Sequence, residues 1–152
     1  MPLSANTPAP EFHLADETGT VRSLEDFRGH ALVLYFYPKD DTPGCTVEAC
    51  AFRDDYSAYA QAGVTILGVS PDSPKAHTRF KAKFQLPFSL LADEEHAVCL
   101  AYQAWGPKKM MGREYEGVLR TTYLIDAQGM IINVWPNVKP DGHSAQILAA
   151  IK

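Results

Sequence analysis

Ala31-Leu-Val-Leu-Tyr-Phe-Tyr37, followed directly by Pro38-Lys-Asp-Asp-Thr42-Pro-Gly-Cys45, is the stretch on which the fold turns. The run from Ala31 to Tyr37 is apolar throughout, which suits a central strand covered on both faces. Pro38 ends it, because proline has no N–H to donate to a ladder. Thr42 fits a helix N-cap and Pro43 the first helical position. A helix is therefore predicted from Pro43 to about Gln61, stopped by Gly63. Val64-Thr-Ile-Leu-Gly-Val-Ser70 is a second core strand, so the centre of the chain has the order strand, helix, strand.

Working outward, the pattern predicts a helix over Pro74 to Phe84, a short strand over Phe88 to Leu91 and a helix over Glu94 to Tyr102. Gly106 to Gly117, rich in Gly, Lys and Met, is expected to be a loop. Thr121 to Asp126 and Met130 to Trp135 flank Ala127-Gln-Gly129 and predict a β-hairpin. A last helix is expected from about Gly142 to Ile151. Before the central strand, Phe12 and Leu14 alternate with polar neighbours, Asp16-Glu-Thr-Gly19 is a turn, and Ser23 to Phe27 is one capped helical turn. These units predict an α/β fold, a central mixed β-sheet flanked by helices, in a single domain over residues 1–152.

The composition is that of an ordinary globular chain: 152 residues, 46% hydrophobic and 21% charged, with a net charge of −4. The densest basic cluster, Lys108-Lys109 with Arg113, is short, so no nucleic-acid partner is expected. Nothing approaches the ~20 apolar residues of a membrane helix, so no membrane partner is expected either. Met1-Pro-Leu-Ser-Ala-Asn-Thr-Pro lacks the basic start and apolar run of a secretory signal. Three cysteines are an odd count for a secreted disulfide framework. A reducing, cytoplasmic location is the expectation.

Cys45 is the candidate nucleophile. In the first turn of the predicted helix, free backbone N–H groups and the positive end of the helix dipole favour a thiolate over a thiol. The same groups attract an oxygen that becomes negative as an O–O bond breaks. The alternative is a small hydrophobe packed under the strand. Pro38 shields the sulfur without donating a hydrogen bond, and the Thr42 hydroxyl can both donate and accept.

The pattern Pro-x-x-x-Thr-x-x-Cys, met as Pro38, Thr42 and Cys45, resembles the active-site motif of the peroxiredoxins. Tyr35-Phe-Tyr-Pro-Lys, Thr42-Pro-Gly-Cys-Thr-Val-Glu-Ala-Cys50, Val64 to Ser70, Trp105-Gly with Met111-Gly112, and Arg120-Thr-Thr-Tyr-Leu-Ile-Asp126 are similar to the bacterioferritin comigratory protein, or peroxiredoxin Q, subfamily. The resemblance covers nearly the whole chain. It implies a thioredoxin-like fold and a thiol peroxidase of hydroperoxides that works through a sulfenic acid on Cys45. It implies a catalytic arginine before a late strand, a place Arg120 fills, and recycling by thioredoxin or a glutaredoxin-type dithiol. It implies no metal or other cofactor, and a monomer. A peroxide-sensing protein using the same oxidation is the rival reading.

The resemblance also makes Cys50 the resolving thiol. Five residues along a continuous helix are ~7.5 Å of rise and about 140° of turn. That places the two Cα atoms beyond the ~7 Å limit for a disulfide, so a Cys45–Cys50 bond requires the helix start to unwind. Cys99, in the apolar stretch Ala97-Val-Cys-Leu-Ala101, is expected to pack in the core. His13, His30, His77, His96 and His143 show no ligand spacing, and no C-x-x-C pair exists, so no metal site is expected. Asp40-Asp41 and Asp54-Asp55 are expected to be solvated. Glu48 lies within reach of Arg120 or Thr46 but is assigned no role.

Overall fold

An apolar strand buried on both faces needs neighbours on both edges and layers above and below. The computed structural model, which describes residues 2–151 with the side chain of Met110 excepted, supplies both. In chain order the elements are β1 (Thr7–Pro8), β2 (His13–Ala15), β3 (Val21–Ser23), a 3-10 turn (Leu24–Phe27), β4 (Ala31–Phe36), α1 (Pro43–Asp54), α2 (Tyr56–Gln61) and β5 (Val64–Ser70). Then come α3 (Pro74–Phe84), β6 (Ser89–Ala92), α4 (Ala97–Ala101), β7 (Trp105–Met110), β8 (Arg113–Val118), β9 (Thr121–Ile125), β10 (Met130–Trp135) and α5 (His143–Ile151).

Eight strands form one sheet in the order β1-β10-β9-β4-β5-β6-β2-β3, while β7 and β8 pair only with each other. β4, β5 and β6 run parallel, and β9 lies antiparallel to β4. This is the expected mixed sheet and the thioredoxin-like arrangement. Alternate residues of β4 serve two cores. Leu32, Leu34 and Phe36 pack with Tyr123, Ile125 and the α4 residues Val98 and Cys99. Val33 and Tyr35 pack with Cys45, Ala49 and Phe52 of α1, Tyr59 of α2, Phe80 of α3 and Ile147 of α5.

Three expectations need correction. The helix after Pro43 is not continuous to Gln61. Asp55 ends α1 and begins α2, and its carboxylate accepts a hydrogen bond from Ser144 Oγ at 2.7 Å. The helix expected from Glu94 starts only at Ala97, because His96 adopts a left-handed φ of 65°. The first free N–H groups of α4, those of Val98 and Cys99, donate to the Asp93 carboxylate at 3.2 and 2.7 Å. The expected loop over Gly106 to Gly117 is the β7–β8 hairpin. Met111 and Gly112 both have positive φ, 52° and 80°, as a two-residue type I′ turn requires.

His143 carries a stability prediction. Its Nδ1 lies 3.0 Å from Gln146 Oε1 and its Nε2 lies 2.8 Å from Thr122 Oγ1. Burial holds its pKa below the ordinary 6.5. The unfolded chain therefore takes up this proton first on acidification, and folding free energy is lost as pH falls below 6.5. Urea unfolding at neutral pH and at about pH 5 should show the loss, and His143→Gln should reduce it. An equal loss in that variant would assign it to other groups.

Candidate active site

The site is assembled where β4 ends and β9 begins. Phe36 pairs with Thr121, so Arg120 stands beside the exit of β4, from which the chain runs through Pro38 to the start of α1. Thr42 occupies the N-cap position, with φ −95° and ψ 156°, and Pro43 the first helical position. The Thr42 hydroxyl does not cap the helix. It donates instead to the carbonyl of Lys39 at 2.8 Å, which tightens the loop.

Cys45 lies in the first turn of α1 and is 1% exposed. Arg120 Nη2 donates to its Sγ at 3.1 Å, while Nη1 donates to Glu48 Oε1 at 3.0 Å. Cys45 and Glu48 are three residues apart and share a helix face, so one rigid guanidinium fork reaches both. Gly44 makes room for it, since a Cβ there would stand 2.8 Å from Nη2. Burial raises the Glu48 carboxyl to about 7, against the pull of Arg120, and its Oε2 has no hydrogen-bond partner among the described residues.

Above this lies an open cleft of about 550 Å³ whose walls include Pro38, Thr42, Gly44, Trp105, Lys108 and Arg120. Lys108 reaches it from the β7–β8 hairpin. Burial, and next to it the Arg120 guanidinium, hold its amine below the ordinary 10.5. From sequence, the Lys108 to Gly112 loop and Trp105 are expected to border the pocket or a partner surface, and both Trp105 and Lys108 do line this cleft. What the sequence hides is that Lys108 sits on a strand, because Gly106, Pro107 and Lys109 leave no apolar alternation to read. Glu48 was legible only as a spacing. A second cleft, of about 560 Å³ between Trp135 and Gln146, holds no thiol.

Pro38, Thr42, Cys45 and Arg120 are thus brought together as the motif predicts. All three cysteines are free thiols. Cys50 is half-buried on the same α1 as Cys45, and the helix between them is wound, so the two sulfurs are not placed for bonding. Cys99 lies in the other core, across the sheet from Cys45. Burial and the Asp93 carboxylate push its thiol up, which disfavours a nucleophile.

Asp40 departs from expectation. It is buried, with its carboxylate accepting from the Tyr37 hydroxyl at 2.6 Å and lying 2.7 Å from His77 Nδ1. Asp40, Asp72 and His77 are near enough to hold a cation, but each is already engaged in hydrogen bonds within the protein.

A buried thiol at a helix start, gripped by a guanidinium below an open cleft on a thioredoxin-like sheet, defines a thiol-based peroxidase. The AhpC/TSA family matches residues 5–134. A putative peroxiredoxin Bcp of Coxiella burnetii is 49% identical over 151 residues, 99% of this chain and 100% of that protein. Peroxiredoxin Bcp of Bacillus subtilis is 45% identical, over 100% of this chain and 97% of its own length. Peroxiredoxin Q of Xanthomonas campestris superposes with a TM-score of 0.87 at 41% identity, covering 92% of this chain and 89% of that one. The chain belongs to the AhpC/TSA family and, within it, to the Bcp/peroxiredoxin Q group of peroxiredoxins, which makes it a thiol peroxidase.

Gly44→Ala tests the packing of this site. The added methyl should displace Arg120 from Cys45 and slow peroxide consumption on the order of a hundredfold, as misplacement by about an ångström does elsewhere. The circular dichroism spectrum should be unchanged. Full activity in the variant would show that the Arg120–Cys45 contact is dispensable.

Proposed function

We propose that Cys45 is the attacking sulfur of a two-cysteine peroxidase cycle in which Cys50 resolves the oxidised intermediate. The observation that carries this reading is the 3.1 Å contact from Arg120 Nη2 to Cys45 Sγ at the start of α1. A guanidinium and a helix N-terminus both stabilise the thiolate, the form that attacks. The Cys45 thiolate attacks the terminal oxygen of a hydroperoxide. The O–O bond breaks, the terminal OH stays on Cys45 as a sulfenic acid, and the departing alkoxide or hydroxide takes up from solvent the proton that the thiol lost on ionising.

Arg120 orients the peroxide oxygens, Thr42 offers a hydroxyl at the cleft wall, and Pro38 shields the sulfur without competing for its hydrogen bonds. The Cys50 thiol then condenses with the sulfenic acid, releasing water and forming the Cys45–Cys50 disulfide. Thioredoxin or a glutaredoxin-type dithiol returns both thiols. The sulfur carries both electrons, so the cycle calls for no metal, haem or flavin. Mixed apolar and cationic walls suit organic hydroperoxides as well as hydrogen peroxide. The bacterioferritin comigratory protein of Xanthomonas campestris, 40% identical with a TM-score of 0.87, is described by its alkyl peroxide reduction activity. A monomer in the cytoplasm completes the reading. Among the described residues no helix is long and apolar enough to cross a membrane.

Peroxide consumption coupled to thioredoxin oxidation tests the cycle. Cys45→Ser should be inactive. Cys50→Ser should complete one turnover and then recycle poorly, and Cys99→Ser should turn over nearly normally. One equivalent of peroxide should give a Cys45–Cys50 peptide and a loss of helical circular dichroism. Undiminished recycling by Cys50→Ser would remove Cys50 from the cycle.

A further inference from the structure

Asp40 lies inside the loop that carries Pro38 and Thr42, yet the chemistry of the thiol does not use it. Its N–H donates to Asp72 Oδ2 at 2.8 Å, and Asp72 in turn accepts from Ser70 Oγ at 2.7 Å. Its two carboxylate oxygens are taken by Tyr37 and by His77 of α3. His77 is fully buried, and its Nε2 lies 2.9 Å from the carbonyl of Leu91 in β6. A carbonyl only accepts, so Nε2 carries a hydrogen. A proton also lies between His77 Nδ1 and Asp40 Oδ2, since two lone pairs do not meet at 2.7 Å. The result is a buried hydrogen-bonded bridge from the active-site loop to α3 and β6.

A second anchor holds the far end of α1. Arg53 Nη1 donates to the carbonyl of Phe84 at 2.9 Å, and Asp55 accepts from Ser144. Between the anchors, the side-chain hydrogen bonds of residues 41–52 among the described residues are few. They are the exposed Lys83–Asp41 pair, the bond from Thr42 to Lys39, and the contacts of Arg120 with Cys45 and Glu48. One of these is made by the sulfur that the reaction alters. The segment that must unwind is therefore pinned by hydrogen bonds at its two ends, while between them apolar packing of Cys45 and Ala49 and only a few side-chain hydrogen bonds hold it.

We infer that His77, acting through Asp40, is a positioning residue that holds the active-site loop in its wound form and so sets the fate of the Cys45 sulfenic acid. The inference rests on the Cys45–Cys50 cycle proposed above. Two fates compete. In the unwound form, Cys45–SOH and Cys50–SH give the disulfide and water. In the wound form, where the sulfur still faces the cleft, Cys45–SOH and a second hydroperoxide, ROOH, give the sulfinic acid and ROH. Removing the bridge releases one end of the segment and shifts population towards the unwound form. The first attack becomes slower and over-oxidation rarer.

His77→Gln is the test, because an amide cannot bridge Asp40 and Leu91 as the imidazole does. Wild type and variant are treated with a graded excess of hydrogen peroxide, and intact mass gives the ratio of sulfinic acid to disulfide. The expected result is a severalfold lower ratio and a severalfold slower first oxidation. Ile131→Val, in the core across the sheet, controls for general destabilisation and should leave the ratio at the wild-type value. A folded His77→Gln with the wild-type ratio, or an Ile131→Val that lowers the ratio equally, overturns the inference. Should His77→Gln fail to fold, Asp72→Ala, which removes the acceptor of the Asp40 N–H at the half-buried edge of the same network, is read in the same way, and an unchanged ratio there overturns it. Wild-type protein that forms no Cys45–Cys50 bond would overturn the proposed cycle itself, which is seen before any variant is compared.

Discussion

The contact between Arg120 and Cys45 depends on the register of two strands. Arg120 precedes β9, and Cys45 follows β4 on a short loop, so their meeting requires Phe36 to pair with Thr121. Burial enforces that pairing. β9 is buried at every position. Leu124 packs on the α1 side of the sheet, and Tyr123 and Ile125 pack on the other. A slip of one residue would exchange these faces. It would also break the bond from the Tyr123 hydroxyl to the carbonyl of Tyr102, made at 2.6 Å. The two cores thus hold the guanidinium in place as surely as any contact inside the site.

The elements that build this register were legible because their signals are local. β4 and β5 are apolar runs closed by proline or glycine, and the β9–β10 hairpin is two apolar runs around a short polar turn. What the sequence concealed depends on distant partners. The break at Asp55 is completed by Ser144, 89 positions away, and the burial of Asp40 by His77, 37 positions away. The acidic pair at Asp40-Asp41 looks solvated from its neighbours alone, and only Asp41 is. The β7–β8 hairpin hides for another reason. It covers no core along most of its length, and only the second residue of its turn is a glycine, so the turn signal is half present. The motif residues Pro38, Thr42, Cys45 and Arg120 were legible as a pattern. Glu48 and Lys108, which complete their electrostatic surroundings, were legible as neighbours of the site but not in role, because burial sets their charge and depends on distant partners.

Those surroundings balance opposing effects. Arg120 is shared between Cys45 and Glu48, and a fully charged Glu48 would absorb much of its field. Burial works against that charge. A carboxyl raised to about 7 neutralises the guanidinium only in part at neutral pH, which leaves more of its charge to the sulfur. Lys108 adds a second cation on the cleft wall, held in check by its own burial. The site keeps positive charge beside the thiol without an exposed salt bridge to screen it.

The same helix that presents Cys45 must surrender its first turns if the sulfur is to meet Cys50. α1 runs from Pro43 to Asp54, so unwinding through Cys50 leaves only Ala51 to Asp54 helical. So short a segment has no stability of its own, because helices below ~12 residues are marginal in water. Tertiary contacts must hold it. Phe52 provides them, fully buried, with its ring 4.7 Å from Tyr35 and 5.8 Å from Tyr59. Arg53 and Asp55, on either side of Asp54, tie the remnant to α3 and α5. The opening can therefore spread from Thr42 to Cys50 and stop there, because the next residues belong to the aromatic core rather than to the helix alone.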